Sequence, residues 1–525
     1  MLNCKQACLF LWILFSLSHC STTSKESQSA GESRTPQPAG NTPKPIPGAP
    51  PIPDAPLGKI QVSLPNRPIV KVVPGKNPHW ILAEELAGKL TQRLAPGTKD
   101  DANPIFQEGL PVQLLYDHPR FIYRLTQSNK AELIDLPVKE GIIADIACGP
   151  NTNQLILSMI HTAAGNKIRD RNNISHELLL LEIDDPGTTA KILDRISIPS
   201  RFPTLDFTYD MGWNSWTNRY YPFKHTKDVA RVVSNAEQVL VVARNQFGVP
   251  FYYATTITQG HFAGGTPKPM ASRLEALGSN LNDRHAGSYD VNQQLQMAAK
   301  VHATWGEQGP VLAIPLASEA AQDLHQYYPT LTIPAYKADL TYVLFLFFDP
   351  SLTLSHAMLQ ELGPLNPLLF PSRPQLSGVV AHGDKAFAYG IWRREDDPSY
   401  SDPFILSSHG VHFHKHLVSK GTDAVAMFAT GDKLHIGGST DWSKNPTGWS
   451  ILGGVGYSAS FDLASNEMSS IHIHADFSTP RSEIRQIFTN GDHMCFAGMI
   501  NGPSTHTADG DLSLLKGDGY ITCVP

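Results

Sequence analysis

Six aromatic residues in long segments between predicted strands could bind a ligand: Trp213, Trp216, Tyr220, Tyr221, Trp442 and Trp449. Exposed tryptophan and tyrosine side chains combine a large apolar ring with a polar group, so they suit stacking on sugar rings or anchoring a protein partner. The same side chains could instead pack beneath their own loops. If the fold gathers them on one surface, we expect that surface to bind a glycan or an envelope or extracellular protein.

Histidines alternate along the chain at two places, and on a strand this alternation puts the imidazoles on one face. The first set is His412, His414 and His416, and the second is His472 and His474. Imidazoles at this spacing can bind zinc or copper. However, no fourth ligand can be identified, and both stretches fall on predicted outermost strands, where polar residues are expected. We therefore predict no metal and no cofactor.

The sequence contains no nucleophile elbow, Cys-x-x-Cys pair, phosphate-binding loop or dinucleotide fingerprint. Its formal net charge of −6 includes no long basic run, which argues against nucleic-acid binding. In a repeat fold, distant residues meet in space, so an acid–base pair cannot be found from spacing alone. No catalytic residue is predicted, and the question of enzymatic activity stays open.

Three segments in the C-terminal third repeat one pattern, in which two apolar runs flank a Gly-Asp pair. The segments are Leu376–Trp392, Ala424–Ser439 and Ile484–Ile500. Their pairs are Gly383-Asp384, Gly431-Asp432 and Gly491-Asp492. Two β-patterned runs joined by Gly-Asp predict a tight hairpin, because glycine adopts positive φ without steric cost. The copies recur at roughly 50 to 60 residues, the period of propeller blades.

The pattern resembles β-propeller repeats of exported bacterial proteins, without pointing to one family. We predict an all-β fold with a six-bladed β-propeller over residues 111–525, and seven blades as the alternative. The last predicted blade ends on Tyr520–Val524 without an outer strand, whereas Phe121–Leu125 and Glu132–Leu136 form a strand pair without a blade. In propellers an N-terminal strand commonly completes the last blade and removes exposed sheet edges.

Connection length divides the predicted disc into two faces. In a blade with strands A to D, the A–B and C–D turns lie on one face, the short-turn face, and the B–C and D–A connections lie on the other, the long-loop face. Long B–C connections are predicted at His161–His176, Ser318–Leu340, Arg393–Asp402, Thr440–Gly453 and Asn501–Gly517, and a long D–A link at Pro199–Asp228. Because loops on a rigid scaffold commonly carry binding residues, we expect the ligand site on the long-loop face.

Residues 1–20 form a predicted export signal. Lys5 precedes the apolar run Leu9–Leu17, which is too short to span a bilayer as a mature helix. Leu17–Cys20 (LSHC) resembles a bacterial lipobox, and this resemblance implies cleavage before Cys20 and lipidation of Cys20. An ordinary secretory cleavage near Cys20 is the alternative. The predicted location is the bacterial cell envelope, as a membrane-anchored lipoprotein, or the exterior as a secreted protein.

Residues 21–57 form a predicted linker, disordered and Ser/Thr-rich at first and then proline-rich. Polyproline II over Thr35–Leu57 would give a semi-rigid spacer of about 70 Å. For residues 58–110 we predict one strand, Lys59–Leu64, and one amphipathic helix between Pro78 and Pro96, because apolar residues follow Pro78 near helical spacing. We expect this N-terminal extension to pack against the outside of the propeller.

Three cysteines follow the signal, and Cys495 and Cys523 fall on neighbouring predicted strands of one blade. A disulfide between them is one interpretation, and two unpaired buried cysteines are the other. The leading hypothesis is an exported, lipid-anchored monomer that binds a glycan or a protein without catalysis. The alternative is a propeller-fold hydrolase or lyase acting on a carbohydrate. Met211–Trp216 (MGWNSW) resembles a hexapeptide of the α-galactosidase family, but the surrounding strands lack the helices of that family's barrel.

Overall fold

The computed structural model describes residues 60–73, 79–85, 120–126, 130–138, 141–162, 174–184, 187–198, 213–214, 219–220, 230–244, 250–271, 301–337, 340–364, 375–393, 401–410, 412–414, 421–422, 424–444, 451–452, 454–479, 482–501 and 517–524. These residues form seven antiparallel blades around a central channel. Within the described residues, no helix has the length and apolar character needed to cross a membrane.

Along the sequence, a single strand comes before the first three blades. This strand is β1 (Ile60–Leu64). Blade 1 contains β2 (Ile69–Val73), β3 (His79–Glu84), β4 (Arg120–Leu125) and β5 (Ala131–Leu133). Blade 2 contains β6 (Ile142–Cys148), β7 (Gln154–Thr162), β8 (Ile174–Ile183) and β9 (Ala190–Ile198). A two-residue ladder of β10 (Trp213–Asn214) and β11 (Arg219–Tyr220) follows. Blade 3 contains β12 (Ala230–Asn235), β13 (Gln238–Arg244) and β14 (Pro250–Thr258), with β15 (His261–Phe262) and β16 (Lys268–Pro269) paired to β14.

The remaining four blades follow the same plan. Blade 4 contains β17 (His302–Gly306), β18 (Gly309–Ala317), β19 (Leu340–Phe348) and β20 (Leu354–Pro364), with helix α1 (Ser318–Gln322) and a 3-10 turn (Asp323–Gln326) between β18 and β19. Blade 5 contains β21 (Gln375–His382), β22 (Lys385–Arg393), β23 (Ser401–Ser407) and β24 (His412–His414). Blade 6 contains β25 (Gly421–Thr422), β26 (Ala426–Thr430), β27 (Lys433–Lys444), β28 (Ile451–Leu452), β29 (Val455–Asp462), β30 (Glu467–Met468) and β31 (His472–Ile473), followed by a 3-10 turn (Ala475–Phe477). Blade 7 contains β32 (Glu483–Asn490), β33 (His493–Ile500) and β34 (Asp518–Val524).

The N-terminal strand β1 completes blade 7 and closes the ring. It pairs antiparallel with β34, with Ile60 opposite Cys523 and Leu64 opposite Gly519. Neighbouring inner strands are in contact all the way round, including β32 with β2. An N-terminal strand completes the last blade, as the general rule of ring closure predicts, but this strand is 60–64, which was predicted to belong to a separate extension, whereas 121–125 is part of a strand of blade 1. The blade number is seven, which was the alternative, and not six.

Blade 1 explains the difference in blade number. The predicted helix after Pro78 begins with residues that form strand β3, all of them buried, and the rest of that prediction, 86–94, lies outside the described residues. Trp80, Ile81 and Leu82 are contiguous because both faces of β3 pack against other blades. Periodicity cannot distinguish such a run from part of a buried helix. Residues 60–73 and 79–85 therefore belong to the propeller and do not form a separate extension.

The core consists of apolar layers between successive blades. The middle strands are buried on both faces, as in β8, where Leu178, Leu179, Leu180 and Leu181 are fully buried. Alternate residues of this run serve two layers, because Leu178 and Leu180 pack toward blade 3 and Leu179 and Leu181 toward blade 1. β-branched, leucine and aromatic residues on both faces give continuous apolar strands, which is why the chain folds as packed sheets.

The Gly-Asp pairs form two-residue turns between strands A and B, as predicted. Gly383, Gly431 and Gly491 have φ values of 58°, 51° and 61°, and each turn is closed by a strand pair such as Asn490 with His493. Ala236 adopts the same conformation in blade 3, with φ of 52°. Five A–B connections thus contain only the two turn residues, and they define the short-turn face.

The opposite face carries most of the connecting chain. Its longest connections span 85–119, 199–229, 270–301, 318–339 and 501–517. Several strands are longer than predicted, so the connections after β7 and β22 shorten to 163–173 and 394–400. The division into a short-turn face and a long-loop face is therefore present in the fold, and blade 1 adds one long connection that was not predicted.

Candidate functional site

The six predicted ligand-binding aromatics lie largely beyond what the structure describes. Trp216, Tyr221 and Trp449 are outside the described residues. The backbone of Trp213 pairs with that of Tyr220 in the β10–β11 ladder, and Trp442 in β27 lies opposite Gly421. Their grouping into one binding surface stays a prediction. Cys20, the predicted lipidation site, also lies outside the described residues.

The alternating histidines lie on or next to outer strands. His412 and His414 are in β24, and His416 is outside the described residues. The rings of His472 and His474 have centroids 4.7 Å apart, and His474 Nε2 is 2.8 Å from Ser458 Oγ. Among the described residues, no group of three or more histidine, cysteine or acidic side chains could hold a metal ion.

Cys495 and Cys523 lie directly opposite each other on β33 and β34. Their Cα atoms are 4.0 Å apart and their sulfur atoms are joined. Both residues are buried. Because β1 pairs with the same strand β34, the disulfide lies in the blade where the two ends of the described chain meet.

The inner strands place seven residues at equivalent positions around the channel, and sequence reasoning did not identify them. In β12, β17, β21, β26 and β32 each of these residues lies four positions before the residue that opens the A–B turn. In β2, β6, β21 and β32 it directly follows an irregularity in the pairing of strands A and B. We call these residues, from blade 1 to blade 7, the inner ring: Lys71, Asp145, Arg231, His302, Gly378, Ala426 and Gln486.

Three inner-ring side chains bond to the next blade. Gln486 Oε1 accepts a hydrogen bond of 2.6 Å from the backbone N–H of Val72, and Gln486 Nε2 donates one of 2.7 Å to the Val72 carbonyl. Lys71 Nζ donates to both carboxylate oxygens of Asp145 at 2.9 and 3.0 Å and to the Ile146 carbonyl at 2.9 Å.

Asp145 continues this chain of contacts by accepting a 2.9 Å hydrogen bond from the backbone N–H of Val232. In each case the backbone group that takes part in the next blade belongs to the residue that follows the inner-ring position: Val72, Ile146 or Val232. Blades 7, 1, 2 and 3 are therefore linked by one repeated hydrogen-bonding arrangement. Since each peptide group at this depth needs a partner, we assign Gln486, Lys71 and Asp145 to holding the ring together.

In blade 5 a phenol performs the same role. The inner-ring residue Gly378 has no side chain, and the phenol oxygen of Tyr389 fills the space that a Cβ would need. Tyr389 accepts a hydrogen bond from the backbone of Met427, the residue after the inner-ring position of blade 6. Burial raises the pKa of Tyr389 to about 12, although the Met427 hydrogen bond and the charge of Arg231 act to lower it.

Charge in the channel is unevenly compensated. Lys71 pairs with Asp145, whose side chain is 1% exposed, and Arg485 pairs with Glu483 at 2.6 Å. Arg231 is half-buried, and no described residue forms an ion pair with it. Asp145 and Glu483 are the acidic residues of the described inner strands, so this part of the chain offers no free carboxylate pair for acid–base catalysis.

Cys148, which is not in a disulfide, lies at the end of β6. Burial raises its pKa, and the charge of Lys71 partly opposes that effect. A buried thiol with a raised pKa is a poor nucleophile. The channel is thus equipped with polar and cationic groups that can bind a ligand, rather than with an activated nucleophile.

No protein-family model matches the sequence, and no curated protein matches it. Similar solved structures include the Dos1 propeller, which is 9% identical with a TM-score of 0.35 and covers 88% of this chain and 94% of its own. The polysaccharide lyase Uly1 is 8% identical with a TM-score of 0.40 and covers 87% and 89%. The β-propeller domain of the Trilobed protease from Pyrococcus furiosus is 11% identical with a TM-score of 0.33 and covers 70% and 81%. Similarities at this level add nothing to the fold assignment, and the chain is a β-propeller because its own strands form a closed ring of blades.

Proposed function

We propose that this chain is an exported, lipid-anchored protein of the cell envelope that binds a glycan or a protein through its long-loop face. The observation that carries the proposal is the unequal length of the connections. The short-turn face has two-residue turns such as 383–384 and 431–432, whereas the other face carries connections such as 199–229 and 501–517. A regular scaffold with variable chain on one face is the usual basis of a binding surface.

Export is supported by the N-terminal sequence and by cysteine chemistry. Leu9–Leu17 has the length of a signal-peptide core, and Cys20 ends a lipobox-like segment. The disulfide between Cys495 and Cys523 suits a protein that folds outside the reducing cytoplasm. Replacing Cys20 by alanine and labelling growing cells with a fatty-acid analogue tests the anchor. The lipid anchor is supported if the wild-type chain incorporates the label and Cys20→Ala does not. It is contradicted if the wild-type protein stays unlabelled.

The ion pairing of the described inner-strand carboxylates favours binding over catalysis. Asp145 is held by Lys71 and Glu483 by Arg485, so neither is free to transfer a proton to or from a substrate. Inner-strand carboxylates that are already paired with cations suit the binding of a ligand better than acid–base chemistry.

The test is a binding screen on glycans and envelope proteins with the secreted form of the chain. Single alanine variants of Trp213, Trp216, Trp442 and Trp449 should weaken binding, because each removes a large ring from the proposed surface. Asp384→Ala and Asp432→Ala in exposed short turns serve as controls and should bind like the wild type. Release of a shortened or unsaturated sugar would replace the binding assignment with hydrolase or lyase activity. Tight binding that survives all four tryptophan changes would contradict the proposal.

A further inference from the structure

We propose that Arg231 forms an anion-binding subsite in the central channel and that the ligand is a glycan bearing carboxylate or sulfate groups. This inference rests on the proposed function and names the class of ligand that the same site would take. Arg231 is on the innermost strand of blade 3, at the position equivalent to Gln486, Lys71 and Asp145. Unlike those three residues, it makes no hydrogen bond to the next blade among the described residues.

The repeated bond between inner-ring residues and the next blade is not made by Arg231 among the described residues. The chain of side-chain bonds runs from blade 7 through blades 1 and 2 and ends on the Val232 backbone, next to Arg231. In blade 5 the equivalent bond is made by Tyr389. The arc of the channel from blade 3 to blade 5 therefore contains a cation whose hydrogen-bond donors are not used by the described fold.

Arg231 occupies the inner-ring position of β12 and is half-buried. Its charge also acts to lower the pKa of the Tyr389 phenol in blade 5, against the larger effect of burial. The buried phenol is neutral and bonded to Met427, so it does not neutralise Arg231.

A half-buried guanidinium that has no counter-charge among the described residues is partly dehydrated at a free-energy cost, and an anionic ligand would offset that cost. Its planar fork of donors matches the two oxygens of a carboxylate or the face of a sulfate. Aromatic side chains predicted on the long-loop face would stack on sugar rings, while the cation would select acidic sugars over neutral ones. We therefore assign Arg231 to ligand specificity.

The experiment compares one oligosaccharide in charged and neutral form. Oligogalacturonate and its methyl ester have the same chain of sugars, and a sulfated oligosaccharide tests the second anionic group. Each is titrated calorimetrically in low-chloride buffer against the wild type, Arg231→Gln, Arg231→Lys and the control Arg195→Gln. Arg195 is an outer-strand arginine whose side chain is 60% exposed and 3.7 Å from Glu177.

We expect Arg231→Gln to weaken binding of at least one acidic probe by about tenfold to hundredfold, the usual effect of losing a hydrogen bond to a charged group. Arg231→Lys should recover part of that loss, and Arg195→Gln should have no effect. Binding of the methyl ester should be the same in all four proteins. Because Arg231→Lys keeps the charge, it provides a folded comparison if Arg231→Gln is unstable.

The outcomes separate this inference from the proposed function. One outcome is that the wild type and Arg231→Gln bind acidic and neutral probes equally well, while the tryptophan variants lose binding. That result overturns the anion subsite and leaves the proposed binding function intact. If inorganic sulfate stabilises the wild type against heat but not Arg231→Gln, the anion subsite is supported. If no glycan binds in the same experiments, the glycan ligand is refuted. Binding of an acidic peptide instead of acidic sugars would overturn the assignment of the ligand class.

Discussion

Replacement of Lys71 by methionine tests the hydrogen-bonding arrangement that links the blades. Methionine has nearly the length of lysine but neither its charge nor its donors. In the native structure the Asp145 side chain is 1% exposed and receives Lys71 Nζ on both oxygens. In Lys71→Met the carboxylate keeps only the hydrogen bond from the Val232 N–H, so a buried negative charge loses its partner.

Breaking one side of a buried ion pair costs about 3–5 kcal/mol of unfolding free energy. The Lys71 side chain is 28% exposed, so water can reach part of the space left behind, and we expect a loss of about 3 kcal/mol. Adding Asp145→Asn removes the stranded charge while the amide oxygen can still accept from Val232. The double variant should therefore regain at least about 1 kcal/mol relative to Lys71→Met.

The assay is urea unfolding followed by fluorescence and circular dichroism, with the slope compared between variants to confirm a common transition. Lys337→Met is the matched control, because Lys337 lies 3.8 Å from Glu361 and both side chains are more than half exposed, at 64% and 51%. Its loss should be about 0–1 kcal/mol. If Lys71→Met is no more harmful than Lys337→Met, or if Asp145→Asn brings no recovery, the inner ring does not hold the blades together.

Three further changes test other parts of the fold. Replacing Cys495 and Cys523 by alanine should cost about 3–4 kcal/mol, because the disulfide closes a loop with a sequence separation of 28; urea unfolding measures it. Tyr389→Phe should cost about 1–3 kcal/mol by leaving Met427 N–H without its acceptor. The pKa of Tyr389 is raised from 10 to about 12, so the wild type should also lose stability as pH rises through that interval, and Tyr389→Phe should lose less. Gly378→Ala should cost about 1–3 kcal/mol by displacing the phenol.

Each of these predictions can fail independently. If the unfolding curves of the oxidised wild type and the double alanine variant coincide, the disulfide does not stabilise blade 7. If the wild type and Tyr389→Phe lose the same amount of stability between pH 10 and about 12, the phenol of Tyr389 is not a buried neutral group. An unchanged midpoint in Gly378→Ala would mean that Tyr389 does not fill the space beside residue 378.

The parts of the fold that sequence predicts well are those encoded locally. A two-residue turn needs positive φ, and Gly383, Gly431 and Gly491 supply it, so the hairpins of blades 5 to 7 could be identified from short segments. Ala236 takes the same conformation without glycine, and only its spacing relative to the apolar runs indicated the hairpin.

The two inner strands of blade 1 were missed, because a long connection separates them from the predicted outer pair and they lack the repeat's turn signal. Trp80 and its neighbours are buried on both faces, and such a run fits a helix or a strand equally well. Pairing of Ile60 with Cys523 depends on residues at opposite ends of the chain. The general rule of ring closure predicts such pairing, but local pattern does not.

The inner ring depends on contacts between blades, so single-segment patterns did not reveal it. In hindsight a signal exists in blades 5 to 7: counting back five residues from the turn glycine reaches Gly378, Ala426 and Gln486. Lys71 and Asp145 have no such glycine to count from, and their partnership emerges only when blades 1 and 2 are neighbours in space. Tyr389 acts from the second strand, which no alignment of first strands would show.

Ring closure by β1 also determines where the propeller can be tethered. As the outer strand of blade 7, β1 starts on the short-turn face, since Ile60 pairs with Cys523 near the end of β34, and it runs toward the long-loop face at Leu64. Whatever precedes Ile60 thus joins the disc on its short-turn side. In the lipid-anchored form that we propose, the linker would be attached behind the disc, and the long-loop face would be presented to the surroundings without obstruction from its own anchor.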